Sequence, residues 1–243
     1  MIFVVPIGFD YSTLPDVLIE NKDTIVENLT HELKHAYDHF KKPSDSAIER
    51  SSYQSIVGKS IGVPSADKFI YYMYYISAIE NLVRPSEIYA AIRNKKITQK
   101  DFLNFLRDNE TYKILKEISE FSLEKLKQDL KGDIKYINKV LKKGGFDVDN
   151  MSDIVKINTI LRIIWINVTN WKNEGLKDVL TTSFFEEMLG FEGEKDKLFK
   201  KIVNRNLRFN RFSDFFRFYE KDFNHVSNDM IKKIAKLYAI TQK

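Results

Sequence analysis

The sequence predicts an α+β protein that is predominantly α-helical, with a small β element at its N-terminus. Three observations predict this. Apolar residues recur at helical spacing through nearly all of the chain beyond Asp23. A β-branched and aromatic run, Ile2–Phe9, precedes them. Lys131-Gly132, Gly144-Gly145, Gly190 and Gly193 punctuate the later pattern into successive helices. A hydrophobic content of 43%, with 18 Phe and 12 Tyr, supplies the material for a core.

Taken in order, Ile2–Phe9 reads as a strand, with Pro6 placing it at a sheet edge. Val17–Glu20 reads as a second short strand after the turn-rich segment 10–15. Thr24-Ile25-Val26-Glu27 fits a capping box that starts a helix, and Lys42-Pro43 stops it. On that helix Ile25, Val26, Leu29, Leu33, Ala36, Tyr37 and Phe40 share one arc, expected to pack inward. His31, Glu32, His35, Asp38 and His39 share the other, expected to carry polar chemistry. Ser44–Val57 reads as a further helix, closed by Gly58 and Gly62-Val63-Pro64. Ser65 caps a long aromatic helix, Ala66–Val83, which Pro85 interrupts before Ser86–Arg93 continues. Beyond Thr98 the expected helices lie near 99–107, 111–130, 133–143, 152–172, 175–188, 194–205, 209–221 and 227–241. An expected boundary near Asn94-Lys95-Lys96 separates an N-terminal core, 1–95, from a helical C-terminal domain, 96–243.

Composition narrows the chemistry. The chain has no cysteine, which excludes disulfides and thiolate metal sites and leaves His, Asp and Glu as ligands. It has no run of about 18 uncharged apolar residues, so no membrane span is expected. Met1–Pro6 carries neither a basic n-region nor a long apolar h-region, so it does not read as a signal peptide. A formal charge of +5 is modest for this length and does not by itself indicate nucleic acid.

The motif with the most chemistry is His31-Glu32-Leu33-Lys34-His35. Two histidines four residues apart project from one helix face, so both imidazoles can close on a single Zn²⁺. The glutamate between them is placed to take a proton from a metal-activated water and to return it to a leaving amine. Three of the chain's four histidines (His31, His35, His39) fall in this stretch. A catalytic zinc takes three protein ligands. His39 is a poor third, because ligands at 31, 35 and 39 climb about 12 Å along the helix axis. Glu80 is the choice: by helical projection it shares an apolar arc with Phe69, Met73 and Ile76, where a carboxylate without a partner is costly. The competing reading is a Glu80–Arg84 i,i+4 pair on a partly exposed face, and Glu87 is the runner-up ligand. Asp38 is a candidate to orient a ligand imidazole. Tyr71, Tyr72, Tyr74, Tyr75 and His225 are candidates to stabilise an oxyanion, and the sequence does not choose among them.

His31-Glu32-Leu33-Lys34-His35-Ala36, with a glutamate on a following helix, resembles the gluzincin branch of zinc metallopeptidases. Tyr75–Arg84 resembles the glutamate helix of compact zincins, including predicted ones encoded by phages and their bacterial hosts. The likeness covers about residues 1–93. It implies a zincin-like core, His31, His35 and Glu80 as zinc ligands, and Glu32 as general base. Only about 24 residues precede the motif helix, so the sheet that binds substrate in zincins is thin here or is completed by a partner. The expectation is therefore a zinc metallopeptidase acting on a protein or peptide, cytoplasmic or virion-associated. One alternative is a non-enzymatic zincin-fold component of a virion or assembly. Another is a nucleic-acid-binding module centred on Lys197–Arg217, where basic residues alternate with Phe209, Phe212, Phe215 and Phe216. Asp214, Glu220 and Asp222 dilute that charge, and an amphipathic helix pair accounts for the pattern more simply.

Overall fold

The computed structural model describes residues 11–41, 56–181 and 211–242. Every regular element among them is helical, which corrects the expected α+β class with its N-terminal β element and zincin-like core. Val17–Glu20 is no strand: it lies in α1 (Leu14–Glu20). Pro15 stands in the first turn, where its missing N–H costs nothing, and Asp16 complements the helix dipole there. Two β-branched residues among the four do not outweigh such a start. The expected strand Ile2–Phe9, most of the expected helix 44–57, the second half of that at 175–188 and all of that at 194–205 lie outside the described residues.

Helix α2 (Lys22–Lys41) begins two residues before the capping box. Its burial is the reverse of expectation. Leu29, Leu33 and Tyr37 are 44%, 60% and 50% exposed, whereas His31 is buried. Of the polar arc, His31 and His35 face inward while Glu32 is exposed. A stripe at spacing four, Asp23, Glu27, His31 and His35, meets Asn94, Lys95, Glu87 and Glu80 in turn. From Asp23 through His31 to His35 the partners descend from Asn94 through Glu87 to Glu80, so the two helices run antiparallel.

The partner is α4 (Ala78–Asn94). The aromatic helix before it, α3 (Pro64–Tyr75), ends earlier than Val83. The chain turns at Ile76-Ser77, and Ser77 caps α4 by accepting the Glu80 backbone N–H on its hydroxyl. Pro85, expected to interrupt a helix, sits inside α4. The lost N–H bond there is outweighed by the inward-facing Val83, Ile88, Ala91 and Ile92, all buried. Because Ser77 is itself buried, Ser77→Ala is expected to cost about 1 kcal/mol of stability by loss of the cap. Denaturant unfolding measures it, and an unchanged midpoint would contradict the capping role.

Four short helices follow: α5 (Phe102–Asp108), α6 (Glu110–Ser119), α7 (Leu123–Gly132) and α8 (Ile134–Lys143). The expected single helix 111–130 is divided at Glu120–Ser122, where Ser122 caps α7 through the Lys125 N–H. The long helices α9 (Asp153–Thr181) and α10 (Phe212–Lys236) close the bundle. Phe69 of α3 sits among Phe121, Phe216 and Phe223, with ring centroids 5.4–5.5 Å away. One buried cluster joins α3 and α4 to α6, α7, α9 and α10, so it runs across position 95. In the described part of the basic-aromatic stretch, Phe215 and Phe216 are buried while Arg211 and Arg217 are exposed. No described helix is long and apolar enough to cross a membrane.

Candidate metal centre

Where α2 crosses the start of α4, three donor side chains converge. His31 and His35 lie one turn apart on the inward face of α2, and Glu80 occupies the first turn of α4. His31 Nε2 is 2.8 Å from His35 Nε2 and 3.7 Å from Glu80 Oε2, and His35 Nε2 is 3.4 Å from Glu80 Oε1. Donors about 2.0–2.1 Å from a tetrahedral ion are separated by roughly 3.3 Å. The two imidazole nitrogens and the Glu80 carboxylate therefore fit around one ion after the imidazoles part by about half an ångström. Glu80 and His31 are buried and His35 is partly so; together they form a group that could hold a metal ion. Glu80 Oε2 lies 2.7 Å from Arg84 Nη2 as an ion pair, but outside hydrogen-bond geometry, so the oxygen keeps a lone pair without a donor.

The surroundings fix the donors. Glu87, one further turn along α4, accepts a hydrogen bond from His31 Nδ1 at 2.5 Å. In neutral His31 this leaves Nε2 as the unprotonated nitrogen facing the cluster, the arrangement a metal-ligating histidine needs. Glu87 is thus the orienting carboxylate rather than a third ligand. It also accepts from Arg84 Nη1 at 2.9 Å and from the Thr111 hydroxyl at 3.3 Å. Arg84 lies against Tyr75, its guanidinium carbon 4.4 Å from the ring centroid. Tyr74 donates its hydroxyl to Glu80 Oε1 at 2.8 Å.

The charges follow from these contacts. Burial opposes ionisation of Glu80, but the His35 contact, Arg84, the Tyr74 hydroxyl and His31 outweigh it and hold its carboxyl below the usual value. Burial likewise opposes the charge on Arg84, and Glu87 and Glu80 more than restore it. Burial, then the hydrogen bond to Glu80, push the Tyr74 phenol upward, so it stays a donor near neutral pH.

Of the other residues singled out by the sequence, Glu32 is exposed on α2, next to His31. Tyr72 turns away to donate to Glu117, and Tyr75 to the Thr111 carbonyl. His225 is exposed and faces Asp229 on its own helix. Among these candidates, Tyr74 donates its hydroxyl to Glu80, and the phenol of Tyr71, pushed upward chiefly by burial, also feels Arg84, Glu80 and Glu87. The side chains of Asp38 and His39 lie outside the described ones. The Glu80–Arg84 pair weighed against a ligand role does form, but buried, and sequence reasoning missed the orienting role of Glu87 and the reach of Arg84 to it. Glu80, Arg84 and Glu87 at spacings of four and three were the available signal. No known protein family, curated protein or solved structure matches the chain.

Proposed function

We propose that the chain is a zinc-dependent hydrolase acting on peptide bonds, with His31, His35 and Glu80 as ligands and Glu32 as general base. One observation carries the reading: α2 turns His31 and His35, not Leu29, Leu33 and Tyr37, toward the neighbouring helix. A helix that forgoes burying Leu29, Leu33 and Tyr37 in order to bury His31 is organised around the donor cluster. Two imidazole nitrogens and a carboxylate oxygen, with one imidazole held by a carboxylate behind it, suit zinc better than a hard cation. The chemistry a zinc ion supplies there is polarisation of the substrate carbonyl and acidification of a water molecule.

The remaining work belongs to the chain's own residues. Glu32 accepts the proton of the attacking water on its carboxylate and passes it to the departing amine nitrogen. Glu87 holds His31 in the required tautomer. Tyr74 keeps one oxygen of Glu80 oriented, and Arg84 holds Glu80 and Glu87 in register.

The test is metal analysis of the purified protein beside a hydrolysis assay on a quenched-fluorescence peptide library. Roughly one zinc per chain is expected. Removal of the metal with a chelator should abolish cleavage, and added Zn²⁺ should restore it. Cleavage that survives complete removal of metal would overturn the reading.

A further inference from the structure

Arg84 sits where a second cation is hard to reconcile with a simple metal site. Its guanidinium spans the two carboxylates of the cluster, with Nη2 2.7 Å from Glu80 Oε2 and Nη1 2.9 Å from Glu87 Oε1. The side chains of Glu80, Glu87 and Arg84 are only 3%, 12% and 15% exposed, so water screens these charges weakly. We propose that Arg84 sets which metal the site accepts, by neutralising its carboxylates so that the imidazoles decide recognition. This rests on the metal-binding reading above.

The argument is one of charge and of ligand type. With neutral imidazoles, two carboxylates and one guanidinium leave a single net negative charge in the cluster. Hard cations such as Mn²⁺ and Mg²⁺ draw their affinity from the number of anionic oxygens they reach, whereas Zn²⁺ binds imidazole well. Arg84 removes one unit of that negative charge. It also ties up the second carboxylate: Glu87 Oε1 accepts from both Arg84 and His31, and Glu87 Oε2 from Thr111. Glu87 is thereby kept from swinging in as a fourth, anionic ligand. Stacking on Tyr75 holds the guanidinium in place, and its planar fork spans both carboxylates as a point charge does not.

The experiment measures Zn²⁺ and Mn²⁺ dissociation constants of the full-length protein by chelator competition, for the wild type and for Arg84→Met, Arg84→Gln and Arg84→Lys. Methionine keeps the apolar stem against Tyr75 and removes the charge. Glutamine removes the charge and keeps a donor, and it decides the matter should the methionine variant fail to fold. Both uncharged variants are expected to bind Mn²⁺ more tightly and to lower the Zn²⁺ preference about tenfold or more, the scale of effect seen when a partner behind the ligands is changed. The lysine variant retains the charge but not the fork, so its preference should lie between that of the wild type and those of the uncharged variants. A Zn²⁺ preference unchanged in the uncharged variants, or both metals weakened in parallel, would overturn the proposal and leave the metal site standing. A wild-type protein that takes up neither ion would overturn the metal-binding reading itself, and this inference with it.

Discussion

His31→Ala protein is expected to emerge from purification without metal and with α2 loosened from α4. His31 is at once a donor to the cluster and the one buried side chain among those described on α2. Removing it takes away an Nε2 donor and leaves His35 and Glu80, two donors where zinc sites use at least three. The loss of affinity should therefore exceed the roughly 10–100-fold that follows loss of an orienting partner alone. The same change strips Glu87 of its Nδ1 donor and leaves its carboxylate leaning on Arg84 and Thr111. A polar group that is buried and loses its partner costs about 1–3 kcal/mol. Chelator competition reads the first effect, and amide exchange along α2 reads the second. A variant that keeps a full complement of zinc would remove His31 from the site. Glu87→Gln separates the two roles, because it disturbs the orienting contact and spares all three donors, so it should weaken binding without abolishing it.

The site was legible in the sequence where short-range spacing controls it. His31 and His35 at spacing four lie on one face of any helix, whatever that helix packs against. The direction in which the face points was not legible. A rule that turns apolar residues inward places Leu33 and Tyr37 in the core. The structure turns them outward, because α4 offers that face an antiparallel row of polar partners, from Glu80 to Lys95. Such a row forms only once two helices distant in sequence meet, and single-helix periodicity carries no trace of it. Glu80 is an instructive case. Its burial was expected from a continuous helix, 66–83, in which it shared an arc with Phe69 and Met73. The helix in fact ends at Tyr75, and Glu80 is buried because Ser77 restarts the chain as α4 with Glu80 in its first turn. The placement was right and the register behind it was not. Ser77-Ala78-Ile79-Glu80 is itself a capping-box spacing that marks this restart, set inside an apolar pattern strong enough to mask it. The fold class failed for a related reason. Val17-Leu18-Ile19 is too short for periodicity to separate strand from helix, and Pro15 was read as part of a turn rather than as a helix start.

The sharpest separation of binding from chemistry comes from Glu32→Gln. Glu32 is exposed on α2, outside the group formed by His31, His35 and Glu80. The amide that replaces it matches the carboxylate in size, and exposed substitutions away from caps and networks stay within about 0.5 kcal/mol of neutral. The variant should therefore fold as the wild type does and take up zinc to the same stoichiometry. What it lacks is a base: an amide neither accepts the proton of the attacking water nor returns it to the leaving amine. General-base catalysis supplies about 10²–10⁴-fold, so peptide cleavage per bound zinc is expected to fall by that factor. Because folding and metal content are controlled in the same sample, such a fall has no explanation in lost structure or lost metal. A decrease of less than about tenfold would show that Glu32 is not the base. The hydrolytic reading would then need another proton acceptor beside His31, His35 and Glu80, or would give way to a metal that cross-links α2 to α4 without chemistry.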